Sequence, residues 1–256
     1  MGFWAFVEKW FVYFPETEFV NTPGQLGLPY EDVFLETEDG LTLHGWYIPG
    51  REDITWLWFH GNGGNISHRL DEAALFRHAL GVNQFLFDYR GYGRSEGRPS
   101  ESGVYLDARA ALAYLHSRSD VGSDRIVYFG RSLGTAIAVE LATAHEPLGL
   151  VLVAPFTSLS DMARLAFSFP SLHLLVRGRY DSLDHIGRTT SPVLIVHGDS
   201  DQTIPVEQGR RLFEAANEPK RFLALPGADH NDTYITGGRL YWDAMKEFLE
   251  SVSGAD

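Results

Sequence analysis

The fold of this chain is decided by the stretch Arg125-Ile126-Val127-Tyr128-Phe129-Gly130-Arg131-Ser132-Leu133-Gly134. Its first half is apolar and rich in β-branched and aromatic residues, which is typical of a buried strand. The alanine-rich segment 133–144 predicts a helix directly after it. Between them lies Gly-x-Ser-x-Gly, whose small residues allow a strand and a helix to approach closely around a serine on a sharp turn. Ser132 is therefore the candidate nucleophile.

A second Gly-x-Ser-x-Gly occurs at 93–97, with Ser95 at its centre. A glycine-rich stretch separates Ser95 from the preceding strand pattern at 84–88. Gly97, Arg98 and Pro99 follow it and are typical of a loop rather than a helix. We interpret Ser95 as a turn residue.

Strand and helix patterns alternate along the rest of the chain. A hairpin is predicted over 32–48, a strand over 54–59, a helix over 66–80 and a strand over 84–88, and further strands at 125–129, 150–153, 193–197 and 221–225. This order predicts an α/β fold, with a mostly parallel central sheet and helices on both faces. Active sites in such sheets lie at the carboxyl ends of strands. No linker or repeat marks a boundary within 31–256, so we expect one domain there.

A serine nucleophile needs a general base, and the base needs a carboxylate that holds its tautomer. In hydrolases that carry the serine on such a nucleophile elbow, the chain order is serine, acid, histidine. The loop 198–205 supplies two acids, Asp199 and Asp201. His230 is the only histidine beyond that loop. The residues themselves leave the choice of acid open.

The composition excludes several kinds of protein. The chain has 256 residues, no cysteine and a formal net charge of −13 at pH 7. The negative charge disfavours nucleic acid as a partner. Ten histidines occur, but none in an HxH or HExxH pattern, so we expect no metal and no cofactor. The lack of cysteine is compatible with a cytoplasmic location.

The N-terminal segment 1–14 is crowded with aromatic residues and begins an arm that we place at 1–30. It is too short to span a membrane and Glu8 and Lys9 interrupt it. Two interpretations stay open. The segment either folds back onto the domain or covers an entrance to it, or it makes a peripheral contact with a membrane surface through its aromatic rings.

Several motifs in this order resemble the α/β-hydrolase superfamily over about 30–250. They are His60-Gly61, Asp88-Tyr89-Arg90-Gly91-Tyr92-Gly93-Arg94-Ser95, Gly130-Arg131-Ser132-Leu133-Gly134, His197-Gly198-Asp199-Ser200-Asp201 and Gly227-Ala228-Asp229-His230-Asn231-Asp232. Tyr13-Phe14-Pro15 and Ala154-Pro155-Phe156-Thr157-Ser158 are similar, more narrowly, to small α/β-hydrolase-domain proteins, a group of esterases, lysophospholipases, depalmitoylases and serine-aminopeptidase-like proteins. The resemblance implies that Asp201 is the catalytic acid and that Asp199 stabilises its loop.

An oxyanion hole requires two backbone N–H donors. One is expected from Leu133, the residue after the nucleophile. The resemblance implies that Asn62 supplies the other, with Gly63 as an alternative. The glycine-rich loop 61–64 is also compatible with an ordinary strand-to-helix turn.

The segment 156–190 is longer than most connections and carries many apolar residues. We expect a small helical cap that lines a substrate pocket, with Phe156, Met162, Leu165 and Phe167 as pocket residues. Alternatively these side chains pack as core.

Together these features predict a serine carboxylesterase that cleaves a small-molecule ester or lipid through an acyl-enzyme intermediate, with thioesters and lysolipids as variants. An aminopeptidase-like amide hydrolase would use the same residues, although no anchor for a free amine is identified. A non-catalytic ligand-binding protein is the third alternative.

Overall fold

The computed structural model describes residues 12–166 and 180–254. The chain divides into two compact units, Met1–Tyr128 and Phe129–Asp256. Each unit has its own strands and helices. The predicted boundaries, an arm at 1–30 and a hydrolase domain at 31–256, are not tested by this division and stay predictions.

The first unit pairs its strands in the order β2 (Glu31–Glu36), β3 (Thr42–Ile48), β6 (Asn83–Phe87) and β4 (Thr55–Phe59). Strands β2 and β3 are antiparallel, as are β3 and β6, whereas β4 and β6 are parallel. All five residues of β4 are buried, as a strand covered on both faces requires. The elements are β1 (Phe14–Pro15), a 3₁₀ helix (Pro23–Leu26), β2 (Glu31–Glu36), β3 (Thr42–Ile48), β4 (Thr55–Phe59), β5 (Gly63–Gly64), a 3₁₀ helix (Ile66–Arg69), α1 (Leu70–Leu80), β6 (Asn83–Phe87) and α2 (Glu101–Ser117).

The strand β7 (Ile126–Arg131) leads into the second unit. There β8 (Gly149–Val153) and β9 (Val193–Gly198) are parallel, and so are β9 and β10 (Lys220–Leu225). Every residue of β8 and β9 is buried. The elements after β7 are α3 (Leu133–Ala142), β8 (Gly149–Val153), α4 (Leu159–Ala166), α5 (Ser182–Ile186), β9 (Val193–Gly198), α6 (Val206–Ala215), β10 (Lys220–Leu225), α7 (Thr233–Thr236) and α8 (Gly238–Ser253).

The predicted strands all form, with ends shifted by one or two residues. The helix predicted over 66–80 begins instead as the 3₁₀ helix Ile66–Arg69 and becomes α-helical at Leu70. The side chain of Asn65 accepts a hydrogen bond from the N–H of Ser67 and caps the tight first turn. Of the predicted cap, α4 and α5 are helical, and 167–179 lie outside the described residues.

The N-terminal arm packs onto the loop that follows β4. Val12 and Tyr13 are 6% and 2% exposed. The N–H of Phe14 donates to the carbonyl of Asn62 at 2.9 Å, and Asn62 Nδ2 donates to the carbonyl of Val12 at 3.0 Å. The end of the aromatic segment therefore folds back, while residues 1–11 lie outside the described residues. Within the part of the chain that the structure describes, no helix has both the length and the apolarity to cross a bilayer.

Two ionisable side chains are buried where β4 and β6 end. His60 and Asp88 are 2% and 0% exposed, with His60 Nε2 3.8 Å from Asp88 Oδ1. Burial raises the pKa of Asp88 to about 8, although the N–H of Ile66 bonds its carboxyl group. Burial, aided by the charge of Arg69, lowers the pKa of His60 to about 3. Both groups are therefore largely neutral at pH 7 in the folded protein.

Candidate active site

The serine of the predicted turn lies between β7 and α3. Ser132 has φ 52° and ψ −119°, a strained conformation for a residue with a side chain. Its N–H donates to the carbonyl of Val153 at 2.9 Å, which fixes the turn against the end of β8. A Cβ added to Gly130 would lie 2.7 Å from the carbonyl oxygen of Gly134. Glycine at 130 therefore permits the close approach of strand and helix that presents Ser132.

Three side chains that are far apart in the sequence converge beside this turn. Nε2 of His230 lies 3.0 Å from Ser132 Oγ, and Nδ1 lies 2.8 Å from Asp201 Oδ2. With a carboxylate facing Nδ1, neutral imidazole carries its proton there, and Nε2 is left to accept the serine proton. The arrangement can deprotonate Ser132 as it attacks a carbonyl carbon.

The carboxylate of Asp201 is held by donors on both oxygens. Oδ1 accepts hydrogen bonds from the N–H groups of Thr203 and Ile204, each at 2.8 Å. Burial raises the pKa of Asp201, but hydrogen bonds from His197, His230 and Ile204 outweigh it and hold that pKa well below its usual range. Asp201 is therefore ionised at neutral pH and can stabilise a protonated His230.

The structure shows which of the two candidate acids, Asp199 and Asp201, lies beside His230. Asp201 contacts His230, whereas Asp199 Oδ1 accepts hydrogen bonds from the N–H of Gly227 at 2.7 Å and the hydroxyl of Ser200 at 3.0 Å. Asp199 thus stabilises its loop, as the resemblance implies. The catalytic role of Asp201 stays a prediction, but only this acid has the geometry for it.

Ser95 is a turn residue, as its sequence context indicates. Its hydroxyl donates to the carbonyl of Asp88 at 2.7 Å and accepts from the N–H of His44 at 2.9 Å. Both hydroxyl functions are used to hold backbone, so Ser95 has a structural part in the first unit.

The candidate oxyanion donors lie in different units, Leu133 in the second and Asn62 in the first. Leu133 is the first residue of α3, so its N–H has no acceptor within the helix. In the first unit, the side chain of Asn62 donates to the arm, and its carbonyl accepts from the hydroxyl of Tyr92 at 2.8 Å. Gly63 pairs with Phe14 in the short strand β5. The oxyanion prediction requires the backbone N–H of Asn62, which neither of these two hydrogen bonds uses. The oxyanion roles of Leu133, Asn62 and Gly63 stay predictions.

The predicted pocket residues fall in three environments. Phe156 is buried at 3% exposure, whereas Leu165 is 57% exposed. Met162 is half-buried on α4, and Phe167 lies outside the described residues. Arg164 on the same helix pairs with Asp161 at 2.8 Å, which is typical of a solvated face. Pocket lining by these residues stays a prediction.

The quoted motifs contain two buried side chains to which the sequence analysis assigned no role at this site. His197, at 0% exposure, places Nε2 2.8 Å from the carbonyl of Ile204 and 3.5 Å from Asp201 Oδ2. Arg131 extends a guanidinium toward the backbone of His230. Each is polar at the end of an otherwise apolar strand, and that contrast is the signal that could have identified them.

Neither a metal nor a cofactor is expected from the sequence, and that expectation stays a prediction. Within 12–166 and 180–254, no three or more His, Asp or Glu side chains cluster so that they could hold a metal ion.

Comparisons with known proteins identify the family and the fold of this chain. The family model for serine aminopeptidase, S33, matches residues 54–176. An uncharacterized protein of Mycobacterium tuberculosis is 42% identical over 245 residues, covering 94% of this chain and 87% of the relative. The α/β-hydrolase domain-containing protein WAV2 of Arabidopsis thaliana is 39% identical, covering 97% of this chain and 89% of its own. An esterase of Pyrococcus furiosus has a solved structure with TM-score 0.78 and 25% identity, covering 93% of this chain and 98% of that one.

Proposed function

We propose, since this chain belongs to the α/β-hydrolase superfamily, that it is a serine hydrolase that cleaves carboxylic esters. The predicted superfamily and the α/β fold with a mostly parallel sheet are confirmed. Hydrolase chemistry is the activity that the relatives support in general terms. The finer proposal rests on one observation: His230 lies 3.0 Å from Ser132 Oγ and 2.8 Å from Asp201 Oδ2 through its two ring nitrogens.

The reaction proceeds through an acyl-enzyme. Ser132 Oγ attacks the ester carbonyl carbon while His230 Nε2 takes the hydroxyl proton, and the carbonyl electron pair moves to the oxygen. As that pair returns, the bond to the leaving alcohol breaks and His230 protonates the alcohol. A water molecule, deprotonated by His230, then attacks the acyl carbon. As the bond to Ser132 Oγ breaks, His230 gives the proton to Oγ, which releases the acid and restores the free hydroxyl of Ser132. In both halves the ionised Asp201 stabilises the imidazolium.

Negative charge develops on the substrate oxygen in each attack and requires preorganised donors. The N–H of Leu133 supplies one, because it follows the nucleophile and opens α3 without an acceptor inside the helix. The N–H of Asn62 is our proposal for the second, carried over from the superfamily's His-Gly-x motif.

An ester is favoured over an amide by the esterase among the structural neighbours. Thioesters and lysolipids are variants of the same acyl transfer. The description of the matching family model as a serine aminopeptidase supports amide cleavage as the alternative. A binding protein without turnover is the remaining alternative, and it would leave the aligned Ser132 and His230 without a use.

Active-site labelling and a substrate series test this proposal together. A fluorophosphonate probe should label the wild type and not Ser132→Ala, while Ser117→Ala, which changes an exposed serine at the end of α2, should label normally. p-Nitrophenyl esters of increasing acyl length, run beside aminoacyl anilides, then identify the substrate class. Faster anilide cleavage would replace the esterase proposal with the amidase alternative. Absence of both labelling and turnover in folded protein would leave only the binding alternative.

We also propose a cytoplasmic protein that touches a membrane surface through its N-terminal aromatic residues. Because Val12 and Tyr13 are buried in the folded arm, the test deletes residues 1–11 and keeps the arm. Liposomes should float the full chain and not the truncated one. Equal flotation of both would reject the membrane contact.

A further inference from the structure

The residue that precedes the nucleophile carries a buried cation. Arg131 is the last residue of β7 and is 5% exposed. Burying a guanidinium is costly unless its donors are used. The ester hydrolysis proposed above assigns Arg131 no chemical step, so its place beside Ser132 calls for another reason.

The guanidinium of Arg131 reaches the segment that carries the general base. One terminal nitrogen donates to the carbonyl of His230 at 3.3 Å, and the other donates to the hydroxyl of Thr233 at 3.1 Å. Its central carbon lies 5.8 Å from the ring centroid of Tyr234, within the range of a cation–π contact. One planar fork of donors therefore joins the strand of the nucleophile to residues 230–234.

Residues 227–229, which precede His230 in its loop, are hydrogen-bonded to residues 199–202 of the loop that carries Asp201. Three hydrogen bonds do this: Gly227 N–H to Asp199 Oδ1 at 2.7 Å, Ser200 N–H to the carbonyl of Ala228 at 3.1 Å, and Gln202 N–H to Asp229 Oδ1 at 3.0 Å. The base and its acid are thus held together by contacts that do not involve Arg131. The contacts of Arg131 act at the other junction, between the base and the nucleophile.

We propose that Arg131 is a positioning residue, which sets the distance between His230 and Ser132 for proton transfer. This inference rests on the proposed serine hydrolase function. Proton transfer needs heavy atoms within about 2.6–3.2 Å, and the present 3.0 Å between His230 Nε2 and Ser132 Oγ satisfies that. Loss of the fork frees the carbonyl of His230 from β7 and leaves the contact between His230 and Asp201 in place.

Arg131→Met is the direct test, because methionine fills much of the same space without a donor. We expect kcat to fall by about 10- to 100-fold, the scale that a displacement of about 1 Å produces, with KM nearly unchanged. The rate of fluorophosphonate labelling should fall in parallel. The proton resonance of His230 Nδ1–H bonded to Asp201 should persist in NMR spectra, which a general loss of structure would not allow. Arg131→Lys, which restores one donor, should recover part of the rate.

Arg239→Met is the matched control, since that side chain is 91% exposed and pairs with Asp243 on the surface of α8. It should keep the wild-type rate. Thr233→Val provides a milder second variant that removes one acceptor and should lower kcat less than Arg131→Met does. If Arg131→Met does not fold, Arg131→Lys and Thr233→Val test the proposal instead. Each should lower kcat and leave KM nearly unchanged.

Two outcomes overturn the inference. One is a wild-type kcat in folded Arg131→Met, or in both milder variants. The other is a loss of rate that always accompanies loss of the His230 resonance and of thermal stability, which would make Arg131 merely structural. Turnover that survives in Ser132→Ala would instead reject the proposed function. An inactive Ser132→Ala beside a fully active Arg131→Met would reject the role of Arg131 alone.

Discussion

Asp201→Asn changes one atom of the acid and should remove the general base. Oδ1 of Asp201 faces the N–H groups of Thr203 and Ile204, so the amide oxygen of asparagine will occupy that position. Its NH₂ group then faces Nδ1 of His230, where Oδ2 now accepts at 2.8 Å. Two donors cannot face each other, so the imidazole must place its proton on Nε2 instead.

That tautomer points an N–H at Ser132 Oγ and leaves no acceptor for the serine proton. The corresponding change in a serine protease lowers kcat by about 10⁴-fold, and we expect a similar loss here, about 5.5 kcal/mol in activation free energy. Substrate binding does not use this carboxylate, so KM should change little. Both backbone donors keep their acceptor, so the thermal unfolding temperature should stay close to that of the wild type.

Steady-state hydrolysis of p-nitrophenyl acetate measures this loss. Asp199→Asn is the matched control, because asparagine keeps an acceptor for the N–H of Gly227 and should retain most of the activity. A near wild-type kcat in Asp201→Asn, or an equal loss in Asp199→Asn, would refute the reasoning.

Two further predictions concern the stability of the first unit. Between about pH 7 and 8 the free energy of unfolding should fall by about 1 kcal/mol as pH rises, since folded Asp88, with its pKa near 8, keeps a proton that the unfolded chain releases, while His60 is largely neutral in both states. Urea unfolding across this range should show the decrease in the wild type and not in Asp88→Asn; equal slopes would reject it. Below pH 6.5 the depressed pKa of His60 opposes the Asp88 effect, because the unfolded imidazole binds a proton there, and the decrease should flatten. Arg90→Leu should cost about 3–5 kcal/mol, because it removes the guanidinium that lies 2.9 Å from the carboxylate of Asp107, which is 0% exposed. Arg90→Leu with Asp107→Leu should recover only part of that loss in the same assay, since the N–H of residue 90 donates to Asp107 Oδ2 at 2.8 Å and loses that acceptor; no recovery would contradict the pairing.

The nucleophile turn could be predicted from sequence because its determinants are local. An apolar strand, a serine between glycines and an alanine-rich helix follow one another within 20 residues, and each is recognisable from side-chain size and period. Ser95 was set apart from Ser132 by the same local reasoning. The helix after Asn65 was less well predicted, because a side-chain cap tightens its first turn into a 3₁₀ helix.

Which acid faces His230 could not be predicted from the local sequence. Asp199 and Asp201 lie two positions apart in one polar loop, and nothing in their spacing decides which faces His230. In the structure the path of the loop turns Asp201 toward Thr203, Ile204 and His230, and turns Asp199 toward Gly227. Only the resemblance to a family could separate them without coordinates.

By itself the sequence determined the fold class, the strand that presents Ser132 and the order of serine, acid and histidine, since these follow from patterns along the chain. The tertiary structure decided which groups meet: the contact between Asp201 and His230, and the guanidinium of Arg131 on the carbonyl of His230. Such contacts join residues 29 and 99 positions apart. Their formation depends on how the strands align side by side. The periodicity within a single strand or helix does not predict that alignment.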